Sequence, residues 1–122
     1  MVRVFALAGA LAALLGVALG AFGAHALGGR LEPRDLATFE TGVQYQMYHA
    51  LGLFAVAWAA VRWPGMSAHL AGWAFIFGIV VFSGSLYVLV LTNTRWLGAV
   101  TPLGGVAFLV GWGALAWAVF RG

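Results

Sequence analysis

Two histidines and two glutamines are the residues of this chain that could do chemistry in an apolar environment. His25 closes one long apolar run, while Gln44, Gln46 and His49 enter the next within the stretch TGVQYQMYHALG. An imidazole titrates near neutral pH and could carry a proton, and each amide can donate and accept hydrogen bonds. If these runs cross a membrane, the histidines become candidates for a functional site.

The chain has too few suitable residues for a metal site, a haem site or a catalytic triad. A metal site needs three or four ligands, and only His25, His49 and Glu40 fall at the same end of the apolar runs, without a recognised spacing. A haem held by the two histidines is not convincing, because His25 lies too near a helix end. The remaining acids, Glu32 and Asp35, lie beside Glu40, so no Ser-His-Asp set can form. The sequence therefore predicts a non-enzymatic protein without a metal or cofactor.

The composition indicates a membrane protein. The chain has 122 residues, of which 64% are hydrophobic and 7% charged, whereas a soluble domain carries about 25% charged residues. So few charged side chains cannot cover a soluble protein of this size. The six Arg are scattered along the chain, so the formal charge of +3 does not indicate a nucleic-acid partner. The absence of Cys excludes disulfides and thiolate chemistry.

Four apolar runs predict an all-α fold: an antiparallel, up-down four-helix bundle that forms one integral membrane domain over residues 1–122. Each run is long enough, at about 1.5 Å per residue, to cross a hydrocarbon core of about 30 Å. In lipid, backbone amides must be satisfied within each segment, so each run should be helical. The expected spans are residues 4–26, 42–62, 69–92 and 98–120.

The residues before the second span predict a short interfacial helix over 33–41. Pro33 suits a first helical turn, and the following residues are amphipathic. We expect the chain to turn or bend near Gly42; a straight continuous helix is the alternative. The N-terminal run resembles a signal peptide, with Arg3 before it and AHA after it, but it exceeds the roughly 7–15 apolar residues of an ordinary signal sequence. An uncleaved span is therefore expected.

The first run also carries small residues at four-residue spacing, which lets another helix approach closely. This face predicts either a homo-oligomer contact or packing against a helix of the same chain. Its members are Ala12, Gly16, Gly20 and Ala24.

Polar residues gather at one end of the predicted bundle. If the spans alternate in direction, the ends of spans one and three and the starts of spans two and four share one side of the membrane. The opposite leaflet is almost wholly apolar. The candidate ligand-binding residues are His25, Gln44, Tyr45, Gln46, His49, Ser83, Ser85 and Tyr87.

A helical wheel predicts which way these side chains of the second span point. One half of the wheel is polar, with Gln46 at its border, and it should face the other helices because unpaired polar groups cost several kcal/mol in hydrocarbon. That half holds Glu40, Thr41, Gln44, Tyr45, Tyr48 and His49.

Two interpretations of these polar residues stay open. In one, the side chains hydrogen-bond across helices and fix the packing, at about 0.6 kcal/mol per bond. In the other, they line a cavity that binds a lipid, a small molecule or a partner helix. A small oligomeric channel or transporter for ions or small solutes is the alternative function, with His49 as its deep ionisable group.

The expected location is the cell inner membrane, with several passes and membrane lipids as partners. The arginine count does not decide the orientation, because three arginines fall on each side. The amino group of the N-terminus favours termini inside, and dual topology is the alternative.

Four stretches resemble a known family. They are GAFGAHAL (20–27), FETGVQYQMYHALGL (39–53), SGSLY (83–87) and RWLGAVTPLGG (95–105). The chain is similar along nearly its whole length to small four-helix inner-membrane proteins of bacteria, with relatives in animals, that form the domain of unknown function family four-two-three. The resemblance implies an uncleaved protein with four spans, and it implies no reaction.

Overall fold

Residues 2–122, which the computed structural model describes, form four helical rods joined by short connections, so the protein is all-α as predicted. Rods 1 to 4 comprise residues 2–27, 33–62, 66–92 and 95–121. The elements in chain order are α1 (Val2–Phe22), a π-helical turn (Gly23–Leu27), α2 (Pro33–Arg62), α3 (Met66–Gly78), a second π-helical turn (Ile79–Ser83), α4 (Gly84–Thr92), a 3-10 turn (Arg95–Ala99) and α5 (Thr101–Arg121).

Three of the four rods in this described part of the chain are long and apolar enough to cross a membrane. They are rods 1, 3 and 4, with 26, 27 and 27 residues, or about 40 Å each at 1.5 Å per residue. Rod 2 is longer, at 30 residues, but its expected span contains Gln44, Gln46 and His49, which make it less apolar. Which residues of each rod lie in the lipid stays a prediction.

The structure does not have the separate interfacial helix expected over residues 33–41. One continuous helix, α2, runs through this region, which is the alternative that the sequence leaves open. Pro33 lies in its first turn, where the missing N–H breaks no helical hydrogen bond. Gly42 lies within this helix and does not bend or end it. Its effect is on space instead, because a Cβ there would lie 2.8 Å from Cε1 of Tyr87.

Helix α2 lies at the centre of the packing. It contacts α1, α3, the second π-helical turn and α4, while α3 packs along α5. Buried residues recur along α2 with alternating spacings of three and four, as in helices that pack side by side at a small crossing angle. They are Phe39, Gly42, Gln46, His49, Leu53, Val56 and Ala60.

Phenylalanine rings fill the interior, and glycines give them room. Phe5, Phe39 and Phe75 are fully buried. The ring of Phe5 lies against Gly72 and that of Phe75 against Gly111, so closely that a Cβ at either glycine would overlap the ring. Small residues therefore set the distances between the helices, as is common in membrane bundles.

The small-residue face of α1 packs against α2 of the same chain. Gly16 contacts Met47, and Gly20 contacts Val43. This packing within the chain is one of the two alternatives that the spacing allows. A homo-oligomer contact through the same face would compete with α2, so self-association stays a prediction.

Candidate functional site

A ladder of hydrogen bonds ties rod 2 to the other rods over its first twenty residues. We call its inner part the polar niche, which comprises Gln46, His49, Ser83, Ser85, Tyr87 and Thr101. Within residues 2–122, every fully buried side-chain nitrogen and oxygen has a hydrogen-bond partner. The niche therefore meets the demand that apolar surroundings place on polar groups.

Gln46 joins three rods. Its Nε2 donates to the carbonyl of Ala12 in α1 at 2.8 Å, and its Oε1 accepts from the hydroxyl of Tyr87 in α4 at 2.6 Å. The side chain is 4% exposed. Both ends of the amide are thus used, and the orientation of the amide follows from its partners because Ala12 offers an acceptor and Tyr87 a donor.

Two serines at the end of the second π-helical turn form hydrogen bonds to neighbouring rods. Ser83 donates from Oγ to the carbonyl of Gly42 at 2.6 Å. Ser85 Oγ lies 2.6 Å from Oγ1 of Thr101 and 2.9 Å from the carbonyl of Phe82. Because each hydroxyl carries one hydrogen, Ser85 can donate either to Thr101 or to Phe82. These bonds tie rod 3 to rods 2 and 4.

His49 is held in one neutral tautomer. The indole Nε1–H of Trp112 donates to its Nε2 at 3.0 Å, and an indole has no acceptor to offer. The proton of the neutral ring must therefore be on Nδ1, which donates to the carbonyl of Tyr45 at 2.6 Å. The imidazole also stacks on Phe108, with centroids 3.5 Å apart and planes 9° apart.

A groove opens from His49 toward the outside of the bundle, between α2 and α5. Its volume is about 400 Å³. His49, which is 4% exposed, forms its floor, while Tyr45 and Tyr48 at its rim are 39% and 54% exposed. The lining residues are Tyr45, Tyr48, His49, Gly105, Phe108, Leu109 and Trp112. Its walls are mostly apolar, and few polar groups reach it.

An ion pair joins rods 2 and 4 at the end of the molecule where rod 2 begins. Both terminal nitrogens of the Arg95 guanidinium donate to the carboxylate of Asp35, at 2.9 and 3.0 Å, and Arg95 Nε donates to Oδ1 of Asn93. Asp35 precedes the expected span. Its hydrogen bonds with Arg95 hold the pKa of the Asp35 carboxyl below its usual value, and the positive charge of Arg95 acts in the same direction.

The inward face of α2 differs from the half-wheel expected from the sequence. Gln46 and His49 are buried as expected, but Gln44, Tyr45 and Tyr48 are exposed. The wheel grouped side chains by polarity, whereas the buried positions follow the alternating spacing of three and four. The tyrosine rings are largely apolar, so they can face outward at little cost.

His25 also lies elsewhere than expected. It is exposed, in the π-helical turn that ends rod 1. Ser83, Ser85 and Tyr87 join the niche as predicted by their depth. The sequence does not indicate Trp112 as a site residue, because it lies within an apolar run and its polarity is limited to one N–H. Groups of three or more His, Cys, Asp or Glu side chains that could hold a metal ion are not found in residues 2–122.

Comparison with known proteins places the chain in a family. The family model described as "Protein of unknown function (DUF423)" matches residues 19–105, which is more than half of the chain. This chain belongs to that family. The UPF0382 membrane protein YwdK of Bacillus subtilis is 56% identical over 111 residues, or 90% of each chain. SERP0230 of Staphylococcus epidermidis is 46% identical over 98% of this chain and 97% of its own length. No solved structure matches the chain.

Membership of the DUF423 family, together with the apolar rods, identifies an integral, multi-pass protein of the cell membrane. The family description names no reaction. The matched range includes Gln46, His49 and the ion pair of Asp35 with Arg95, and it ends before Trp112.

Proposed function

We propose that this DUF423 protein is a non-enzymatic, antiparallel four-helix membrane protein whose niche binds a lipid or another small molecule of the bilayer through the groove between α2 and α5. Support for the antiparallel arrangement comes from the contacts of α1, since Gly9, Gly16 and Gly20 contact residues 50–54, 47 and 43 of α2 in that order. Helix α2 packs between the other rods, which favours its crossing the membrane with them.

The observation that carries the proposal is the position of His49. The other niche side chains bond to groups inside the bundle, whereas the donor to His49 is Trp112, which is 43% exposed beside the groove. Both imidazole nitrogens and the indole N–H already have partners, so a molecule in the groove would bind by taking over the bond between Trp112 and His49. The phenol rings of Tyr45 and Tyr48 would hold its apolar or flat part.

A molecule of the bilayer suits this groove better than a water-soluble one. The groove opens sideways, between two helices whose neighbouring outer residues are apolar; Leu109, for example, is 74% exposed. A lipid or a lipid-soluble compound would enter from the hydrocarbon without crossing the packed interior. Its polar group would then find hydrogen-bonding partners at a depth where hydrocarbon offers none.

Filling the groove tests the proposal. Gly105 lines the groove, and a Cβ there would come no closer than 4.0 Å to Phe82, so Gly105→Leu occupies the space without displacing the backbone. Gly113→Leu is the matched control, because a Cβ at Gly113 on the same helix meets nothing within 4 Å. We expect Gly105→Leu to lose the molecules that copurify with the parent, as seen by native mass spectrometry from native membranes, and Gly113→Leu to keep them.

Equal retention by the parent and both variants would contradict binding in the groove. Copurification of a second polypeptide that Gly105→Leu alone removes would assign the groove to a partner helix. The channel alternative receives less support, because Phe5, Phe39 and Phe75 fill the interior and a pathway would have to run between chains. Proton flux into liposomes that is lost in His49→Gln would favour that alternative.

A further inference from the structure

We propose that the end of the molecule opposite the niche binds the headgroups of anionic phospholipids. This proposal is independent of the groove between α2 and α5. It rests on how charged residues are divided between the two ends of the helical bundle. We call this surface the arginine end and define it by Arg3, Arg62 and Arg121, with His69 among them.

The helix ends that carry these residues come together in space. Rod 2 ends at Arg62, rod 3 begins at Met66, and rod 4 ends at Arg121. Ala60, Ala68 and Ala118 of these rods form one buried cluster, and Val2 of rod 1 packs against it. The three arginines therefore share one face of the protein although they are far apart in the sequence.

The two ends differ in net charge. The acidic residues, Glu32, Asp35 and Glu40, all lie at the niche end, where Arg95 is paired with Asp35. Arg30 and Arg34 lie there as well, so the formal side-chain charges of that end cancel. The arginine end carries three positive side chains and, across the chain, none of the acidic ones.

A backbone carbonyl and an indole ring contact two of these arginines. Arg121 donates from Nη2 to the carbonyl of Pro64 at 3.3 Å, and the guanidinium carbon of Arg62 lies 5.3 Å from the centre of the Trp63 ring. Neither contact neutralises the charge. Guanidinium groups bind phosphates strongly, as they bind carboxylates, and basic surfaces at the ends of membrane helices attract anionic lipids.

An apolar groove beside Arg121 offers a place for an acyl chain. Arg121 lies against Gly65, whose carbonyl accepts a hydrogen bond from Nδ1 of His69 at 3.0 Å. His69 in turn lines a groove of about 440 Å³. The other lining residues are Met66, Leu70 and Trp73. Arg121 thus contacts Gly65, the residue before Met66 of this groove, so charge for a phosphate adjoins apolar surface for an acyl chain, which fits a phospholipid better than a soluble anion.

Paired charge variants test the assignment. In nanodiscs containing equal amounts of phosphatidylglycerol and phosphatidylcholine, native mass spectrometry measures which lipids stay bound to the protein. At about fivefold per arginine near the surface, Arg62→Gln with Arg121→Gln should reduce the preference for phosphatidylglycerol by roughly 10- to 25-fold. The matched control is Arg30→Gln with Arg34→Gln, which removes the same charge from the other end and should change the preference less than about threefold.

An equal loss of preference in both double variants, or no loss in either, would overturn the proposal. All four arginines are exposed, so misfolding is not expected, and unchanged unfolding midpoints would verify this. A protein dimer without lipid adducts that disappears in Arg62→Gln with Arg121→Gln would assign the surface to a second copy instead. The groove variant Gly105→Leu should leave this lipid preference unchanged, so failure here and failure of the proposed function are distinguishable.

Discussion

Replacing Gln46 with leucine separates the structural contribution of the niche from any binding function. The change keeps the approximate volume and removes both hydrogen bonds, the one to the carbonyl of Ala12 and the one from the hydroxyl of Tyr87. Hydrogen bonds between membrane helices average about 0.6 kcal/mol and reach about 1.7 kcal/mol. Two of them give a loss of about 1 to 3 kcal/mol in the free energy of unfolding, since the hydroxyl of Tyr87 is also left without its acceptor.

Gln44→Leu is the matched control. It is the same substitution two residues earlier on the same helix, at an exposed position, and should change stability by less than about 0.5 kcal/mol. Tyr87→Phe completes a double-mutant cycle with Gln46→Leu. Since the two side chains bond directly at 2.6 Å, we expect a coupling energy of about 0.6 to 1.7 kcal/mol.

Reversible unfolding in bicelles, followed by tryptophan fluorescence, measures these differences. If Gln46→Leu costs no more than Gln44→Leu, the amide does not hold the three rods together in lipid. A coupling energy near zero with a large single-variant loss would point to packing of the side chain rather than to its bond with Tyr87.

Two further predictions concern the ends and the packing of the bundle. The lowered pKa of Asp35 means that its pair with Arg95 stabilises the fold above the unfolded-state pKa of about 3.9 and loses this effect as the pH falls through the lower folded-state pKa. The unfolding midpoint of the parent should therefore fall when the pH drops below about 4. Asp35→Asn should have a lower midpoint than the parent at pH 7 and lose less of it in acid. If the midpoints of the two proteins change in parallel with pH, the ion pair of Asp35 with Arg95 does not contribute. A Cβ at Gly104 would overlap the backbone of Phe82, so Gly104→Ala should destabilise by about 1 to 3 kcal/mol, whereas Gly113→Ala should be neutral or slightly stabilising in the same unfolding assay.

The sequence predicts the helices of this fold better than their faces. Long apolar runs can only be helices in lipid, so the all-α fold and the gathering of polar residues at one end follow from composition and spacing. The continuity of α2 does not, because Pro33 and Gly42 are typical of a helix start and of a bend, and only the fit of Tyr87 against Gly42 shows why a glycine is there. Trp112 escapes notice because one N–H within an apolar run gives no signal in the sequence.

The sequence does not reveal the rotation of α2, for a physical reason that applies to other membrane helices. In water, polarity alone decides which side of a helix is outside, but in a membrane both the lipid side and the packed side are apolar. What distinguishes the packed side is spacing and size: Gly42 admits a tyrosine ring, and Gln46 and His49 bond to other rods. Gln44 can remain outside because it lies close to the start of the expected span, about one turn from Glu40, where water is near.

This distinction also decides where a function can reside. A ligand that used Gln46 or Ser83 would have to break bonds that join rods, and the bundle would loosen as it bound. The bond of His49 with Trp112 also joins two rods, 2 and 4, but it lies at the open groove, and exchanging it leaves the bonds of rod 2 with rods 1 and 3 in place. Stability should therefore respond to Gln46 and ligand retention to the groove. A single set of variants that changed both together would mean that the two parts of the niche are not separable in this way.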